Sequence, residues 1–316
     1  MAATTDFVAA QKENRRNTMV LLVLLTALAA LVGYLIGWIL ETEGSDTMPA
    51  VSVLGIGAAG VMAAISVVWS LISLAVGDRM VLSMAGAKVI DKADAPQLYN
   101  VVEEISIASG VPMPKVMVLD TDALNAFATG NRVGNGTIAV TRGLLDKLSR
   151  DELQGVVAHE MAHLANLDTR YMVVVGVTVG LIALVCDMAL RTLNWGSVQR
   201  RDDSKGKSGG GVLIIVLLVV AILAPLAAKA VQMAVSRQRE YLADATSVQF
   251  TRNPNGLISA LGKLAEAAAP FPGVSRATQH LFIVNPVQTF TAKSSALLAT
   301  HPDVADRIAR LRNLGS

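Results

Sequence analysis

Four long apolar runs constrain this chain more than any other feature. Residues 18–40, 51–76, 171–190 and 212–229 are almost free of charge, and each supplies the roughly 17–25 apolar residues a helix needs to cross a ~30 Å hydrocarbon core. Backbone in lipid must satisfy its own hydrogen bonds, so all four are expected to be transmembrane helices. Of 316 residues, 53% are hydrophobic and 16% charged, with a mean hydropathy of +0.50, against roughly 25% charged in soluble domains. A cleaved signal peptide is the rival reading of the first run, since Lys12, Arg15 and Arg16 precede it and Ala27-Leu28-Ala29 offers a cleavage site. The run continues past that site to Leu40, as a retained anchor should.

Lysine and arginine flank the cytoplasmic ends of membrane helices. Lys12, Arg15 and Arg16 precede the first run, the link 41–50 has neither residue, and Arg79, Lys88 and Lys92 follow the second. Both termini and segment 78–170 are therefore expected on the cytoplasmic side. The link between the third and fourth runs is a misfit, because Arg200, Arg201, Lys205 and Lys207 fall on the outer side of that topology. Asp187 lies inside the third run, as a buried acid or near its outer interface.

The expected organisation is a tail 1–17, a hairpin 18–77, a polar segment 78–170, a second hairpin 171–235 with a flexible link 192–211, and a closing polar segment 236–316. The fold class expected is α+β: four transmembrane helices carrying a cytoplasmic domain of helices and a small sheet. In the first polar segment, residues 95–109 repeat apolar side chains at a helical period until Gly110 and Pro112. Runs 115–119, 123–129 and 137–141 read as strands, with Asn135-Gly136 as a hairpin turn. Ser149 and Glu152 have the spacing of a capping box, which predicts a helix running almost without a gap into the third apolar run.

In the middle of that helix stands His159-Glu160-Met161-Ala162-His163. Side chains four apart share a helical face, so both imidazoles can meet one ion, while Glu160 is turned about 100° away and is free to act as a general base on water. A catalytic zinc takes three protein ligands and keeps a fourth position open. The candidate third ligand is Glu240, four residues before Asp244 on a second helical segment; Asp244 would accept from the non-ligating nitrogen of His159. An exposed salt-bridge face with Arg237 and Arg239 is the competing reading of this pair, and His280 or His301 the competing third ligand. The metal implied is one Zn2+ per chain.

These residues resemble the HtpX heat-shock family of integral-membrane zinc peptidases, whose wider group includes the CaaX prenyl-protein protease. The resemblance covers most of the chain, through the first hairpin, Asn125 to Gly130, the His-Glu-Met-Ala-His motif, the second hairpin, Ser236 to Ala245, Leu281 to Pro286, and His301-Pro302 with Arg307-Ile308. It implies an endopeptidase of the bacterial inner membrane, active at the cytoplasmic surface on misfolded or damaged membrane proteins, in stress response and protein quality control. Four spans match HtpX, and the basic outer link is a departure. An extended substrate is expected to add as a strand along Asn125 to Gly130, beside Asn125, Ala126 and Phe127; the alternative reading of this segment is an internal hairpin strand without substrate contact. His301 and Arg307 are candidates for stabilising the transition state; the alternative is an ordinary helix start at Pro302 with Arg307 and Arg310 on a solvated face.

Other classes fare worse. Net charge is +2, which offers nucleic acid no basic excess. A transporter would need several ionisable groups in its spans, and a non-catalytic adaptor with a structural zinc would gain nothing from Glu160. The single cysteine, Cys186, cannot form an internal disulfide and reads as apolar packing. Expected partners are protein substrates and the lipid bilayer.

Overall fold

The computed structural model describes residues 7–42, 49–132, 134–175, 177, 237–267 and 302–314. The chain divides into two compact units, one drawn from Met1–Asn17, Leu74–Val177 and Val231–Ser316, the other from Thr18–Ser73 and Thr178–Ala230. Most of the third apolar run, all of the fourth, their basic link, Cys186, Asp187, His280 and His301 lie outside the described residues.

Helices α1 (Phe7–Thr42) and α2 (Val53–Met84) are long and apolar enough to cross a membrane. α1 runs beyond the apolar segment 18–40 at both ends, whereas α2 starts two residues inside 51–76 and runs beyond its end. In the second unit they meet through small residues: a Cβ on Gly37 would stand 2.7 Å from the Leu54 carbonyl oxygen, and one on Gly55 2.9 Å from that of Tyr34. Close backbone approach of this kind is how helices associate where apolar burial gives no drive. Leu24, Val68 and Leu71 remain exposed, consistent with an apolar solvent around them.

The other unit holds a four-stranded sheet, β1 (Lys88–Val89), β2 (Lys115–Leu119), β3 (Ala126–Gly130) and β4 (Gly136–Thr141), in the order β1-β2-β4-β3. β2 and β4 are parallel; the other pairs are antiparallel. Strand alternation sends Val116, Val118, Ile138 and Val140 into a core with α3 (Pro96–Ser109) and α5 (Arg150–Asn166), while Met117, Leu119, Phe127 and Ala139 pack with Val81, Leu82 and Met172. Both faces are covered, which explains the nearly continuous apolar strands. A short helix α4 (Arg142–Lys147) links β4 to α5.

A further helix starts at Asp168, and later in the chain come α6 (Arg237–Thr251), α7 (Pro254–Glu266) and α8 (Val304–Leu314). α5 crosses α7 at Gly155, where a Cβ would lie 2.5 Å from the Leu257 nitrogen. Two local expectations are revised. β3 starts at Ala126, not 123, and Asn135-Gly136 is not a two-residue turn: Gly130 pairs with Gly136, so five residues form the loop and Gly136 already belongs to β4.

Candidate metal centre

The capping box forms as its spacing requires. Glu152 N–H donates to Ser149 Oγ at 3.4 Å and Ser149 N–H to Glu152 Oε2 at 2.6 Å, so α5 starts at a fixed residue and carries His159 and His163 on one face. Their Nε2 atoms are 3.2 Å apart and the rings stand at 88°. α6 brings in Glu240, with Oε2 3.7 Å from His159 Nε2 and Oε1 3.7 Å from His163 Nε2. Glu240 is only 4% exposed, which excludes the reading of an exposed salt-bridge face.

A tetrahedral zinc with nitrogen and oxygen ligands at about 2.0–2.1 Å separates its donors by roughly 3.3 Å. The three distances bracket that value, and two imidazoles with one carboxylate is a donor set that catalytic zinc takes. The residues present fit the ion.

Each histidine is held from behind by a carboxylate. Asp244 Oδ1 lies 3.0 Å from His159 Nδ1, and Asp168 Oδ2 lies 2.9 Å from His163 Nδ1. With Nδ1–H donating, each Nε2 lone pair is left for an ion. Arg307, on α8, is 1% exposed and clasps Asp244 with Nε and Nη2 at 2.9 and 2.7 Å; its Nη1 is 3.6 Å from Glu240. The solvated-face reading therefore fails for Arg307 and holds for Arg310, which is exposed. The guanidinium is engaged with the carboxylates that frame the centre.

Glu160 is buried beside the ligands and accepts a hydrogen bond from the Ala128 N–H of β3. Burial pushes its carboxyl up to about 7, helped by Glu240 and opposed by His163 and that N–H. Such a group can take and return a proton at neutral pH. Asn125, Ala126 and Phe127 are buried at the same edge, with Asn125 N–H donating to Thr141 Oγ1 at 2.9 Å and Ala126 N–H to Asn125 Oδ1 at 3.0 Å.

Asp168 was not among the sequence-derived candidates, for a physical reason. On an unbroken helix, residue 168 would be rotated about 140° from His163. The chain breaks instead at Leu167, a left-handed cap with φ 59° and ψ 25°, and the next helix starts at Asp168. A leucine there costs roughly 1–2 kcal/mol, and no glycine or proline signals the break.

Comparison with known proteins agrees with this chemistry. The profile of peptidase family M48 matches residues 92–315. The chain is 39% identical to a "Protease HtpX homolog" of Caldanaerobacter subterraneus over 96% of both chains. It is 40% identical to one of Dictyoglomus thermophilum over 98% of this chain and 95% of the other. Among solved structures, S. mikatae Ste24p is similar at a TM-score of 0.51 and 20% identity, covering 95% of this chain and 66% of that one, a likeness of fold. With the family profile spanning most of its length and HtpX relatives matching almost end to end, this chain, a membrane-bound zinc metalloprotease, belongs to peptidase family M48.

Proposed function

We propose that His159, His163 and Glu240 hold the zinc and that Glu160 is the catalytic acid–base of an endopeptidase acting on misfolded or damaged membrane proteins. The observation that carries this reading is the convergence of three buried ligand atoms within 4.8 Å, next to a buried carboxylate poised near neutrality. Zinc, when bound, polarises the scissile carbonyl and lowers the pKa of water at the site. The protein's own groups do the rest. Glu160 accepts a proton from the attacking water and delivers it to the leaving amine. Asp244 and Asp168 keep each imidazole in the tautomer that presents Nε2. Arg307 neutralises Asp244 and faces Glu240. The β3 edge beside Asn125, Ala126 and Phe127 receives an extended peptide by backbone pairing, which tolerates many sequences. His301 remains a candidate for supporting the transition state.

We further propose a bacterial inner-membrane location with four spans and with the centre and both termini cytoplasmic. The lysine and arginine bias around the first two runs supports it, as does the apolar length of the four runs, of which the third carries one charge, Asp187. Catalysis at that surface suits membrane protein quality control under stress.

The test compares the wild type with Glu160→Ala, purified in detergent. Both should contain zinc, and only the wild type should cut an unfolded test protein, with a rate difference of about 10²–10⁴. Equal cutting would remove Glu160 from the mechanism; zinc-loaded wild type that cuts nothing would point to a structural metal.

A further inference from the structure

The amino-terminal leg of α1, ahead of Thr18, reaches the far end of the zinc helix. Asn14 is 6% exposed, and its side-chain amide has two N–H groups to place. Nδ2 donates to the Asn166 carbonyl at 3.0 Å and to Asp168 Oδ1 at 2.7 Å. Its oxygen accepts from Arg239 Nη1 at 3.4 Å. A guanidinium can only donate, so the amide is read in one orientation, nitrogen towards Asp168.

The other oxygen of that same carboxylate meets His163 Nδ1. A buried carboxylate held at one oxygen can still rotate about its terminal torsion, which is broad. Held at both, its plane is set, and with it the direction in which the imidazole presents Nε2. Gln11, one turn earlier, makes a useful contrast. Its Nε2 donates to the Ala165 carbonyl at 2.7 Å, so it also caps a carbonyl freed by the break at Leu167, yet no hydrogen bond joins it to Asp168 among the described residues.

We propose that Asn14 is a positioning residue for the metal centre: its amide fixes the Asp168 carboxylate and thereby the His163 imidazole. This rests on His163 being a zinc ligand. It also makes the leg of α1 part of the site and not merely the lead-in to an anchor.

The test measures zinc affinity of the full chain in detergent by competition with a chromophoric chelator. Removing a hydrogen-bond partner of a metal ligand costs about 10–100-fold in affinity. Asp168→Asn should fall in that range, and Asn14→Ala, one step further out, near its lower end. Since Asn14 acts through Asp168, the double variant should bind zinc as Asp168→Asn does. Gln11→Ala should bind as the wild type, and the visible spectrum of the cobalt-substituted protein should shift in Asn14→Ala and not in Gln11→Ala. Asn14→Asp keeps the side-chain shape and replaces the donor; it should bind zinc no better than Asn14→Ala, and it serves if the alanine variant does not fold. Equal loss in Gln11→Ala and Asn14→Ala, a full additional loss in the double variant, or wild-type affinity in Asn14→Asp would each overturn the proposal. His163→Ala is run alongside; zinc retained at wild-type affinity there sinks the metal reading itself and the proposal with it.

Discussion

His159 and His163 lie one turn apart on the same helix, both buried and both backed by a carboxylate, yet their surroundings push them in opposite directions. Burial holds His159 below its ordinary value, and the Arg307 charge adds to this against the pull of Asp244. Burial acts the same way on His163, but the Asp168 hydrogen bond and the charges of Glu240, Asp168 and Glu160 outweigh it and push the imidazole up to about 9. Two things make the difference: the charges of Glu240 and Glu160, which act on His163, and the guanidinium beside His159. Asp244 has its charge neutralised by Arg307, whereas the neutral amide of Asn14 leaves the charge of Asp168 intact. One arm thus offers a neutral ligand at neutral pH, and the other must release a proton before it binds a metal.

The most disruptive way to break this contrast is Arg307→Ala. It leaves Asp244 buried without its cation, and breaking a buried pair from one side costs about 3–5 kcal/mol. Chemical unfolding should show a loss of that order. The variant should also make His159 resemble His163, because the remaining carboxylate raises its affinity for a proton. Zinc uptake near pH 7 should then release about two protons, not one, measured in weakly buffered solution with an indicator dye. An unchanged proton count would mean that Arg307 does not set the difference between the arms.

A smaller and sharper comparison sets Asp168→Asn against Asp244→Asn. Each should weaken zinc by about 10–100-fold, but their pH profiles should differ. In the wild type His163 is protonated below about 9, so affinity should rise roughly tenfold per pH unit towards that value and then level off. Asp168→Asn removes the main source of the raised value and should bring the plateau to lower pH. Asp244→Asn should leave the plateau where it is, since His159 is already neutral. Parallel profiles for the two variants would contradict the assignment of the proton to His163.

The two arms also differ in how legible they were. His159, His163, Glu240 and Asp244 are each one of an i, i+4 pair, and helix periodicity alone sets such pairs on one face. The capping box likewise lies within four residues and forms as written. Asp168 depends on a left-handed leucine, a conformation that leucine does not advertise, and Asn14 meets it across more than 150 residues of chain. Arg307 was identified, but its solvated-face alternative fell to tertiary packing, because a periodic helix does not disclose which neighbour covers it. Strands β2 and β4 were read almost to the residue since both faces are apolar. β3 starts three residues late because the contact at Asn125 is not regular: its carbonyl accepts from the Thr141 N–H at 3.0 Å while its own N–H turns to Thr141 Oγ1 at 2.9 Å, and the ladder register begins only at Ala126.

The least effect is expected at the other end of α5, where Glu152 extends the comparison to a carboxylate far from the ligands. Burial raises its pKa, but hydrogen bonds from Lys263 and Ser259 and from the Ser149 N–H overcome this and bring it to about 2, from an ordinary 4.5. A folded value below the unfolded one gives stability that is present in full above about pH 4.5 and is lost as pH falls towards 2. Lys263 is 36% exposed, so water screens the pair, and its worth is on the order of 1 kcal/mol. Glu152→Gln should therefore be less stable than the wild type at pH 7 by about that amount, with the gap closing in acid, as followed by unfolding at pH 7 and pH 3. Zinc affinity at pH 7 should not change, because the capped end of α5 lies nearly two turns before His159 and the ligand geometry is set by the carboxylates behind the rings. Weaker zinc binding in this variant would mean that helix placement, not local orientation, governs both arms, and the contrast between them would lose its cause.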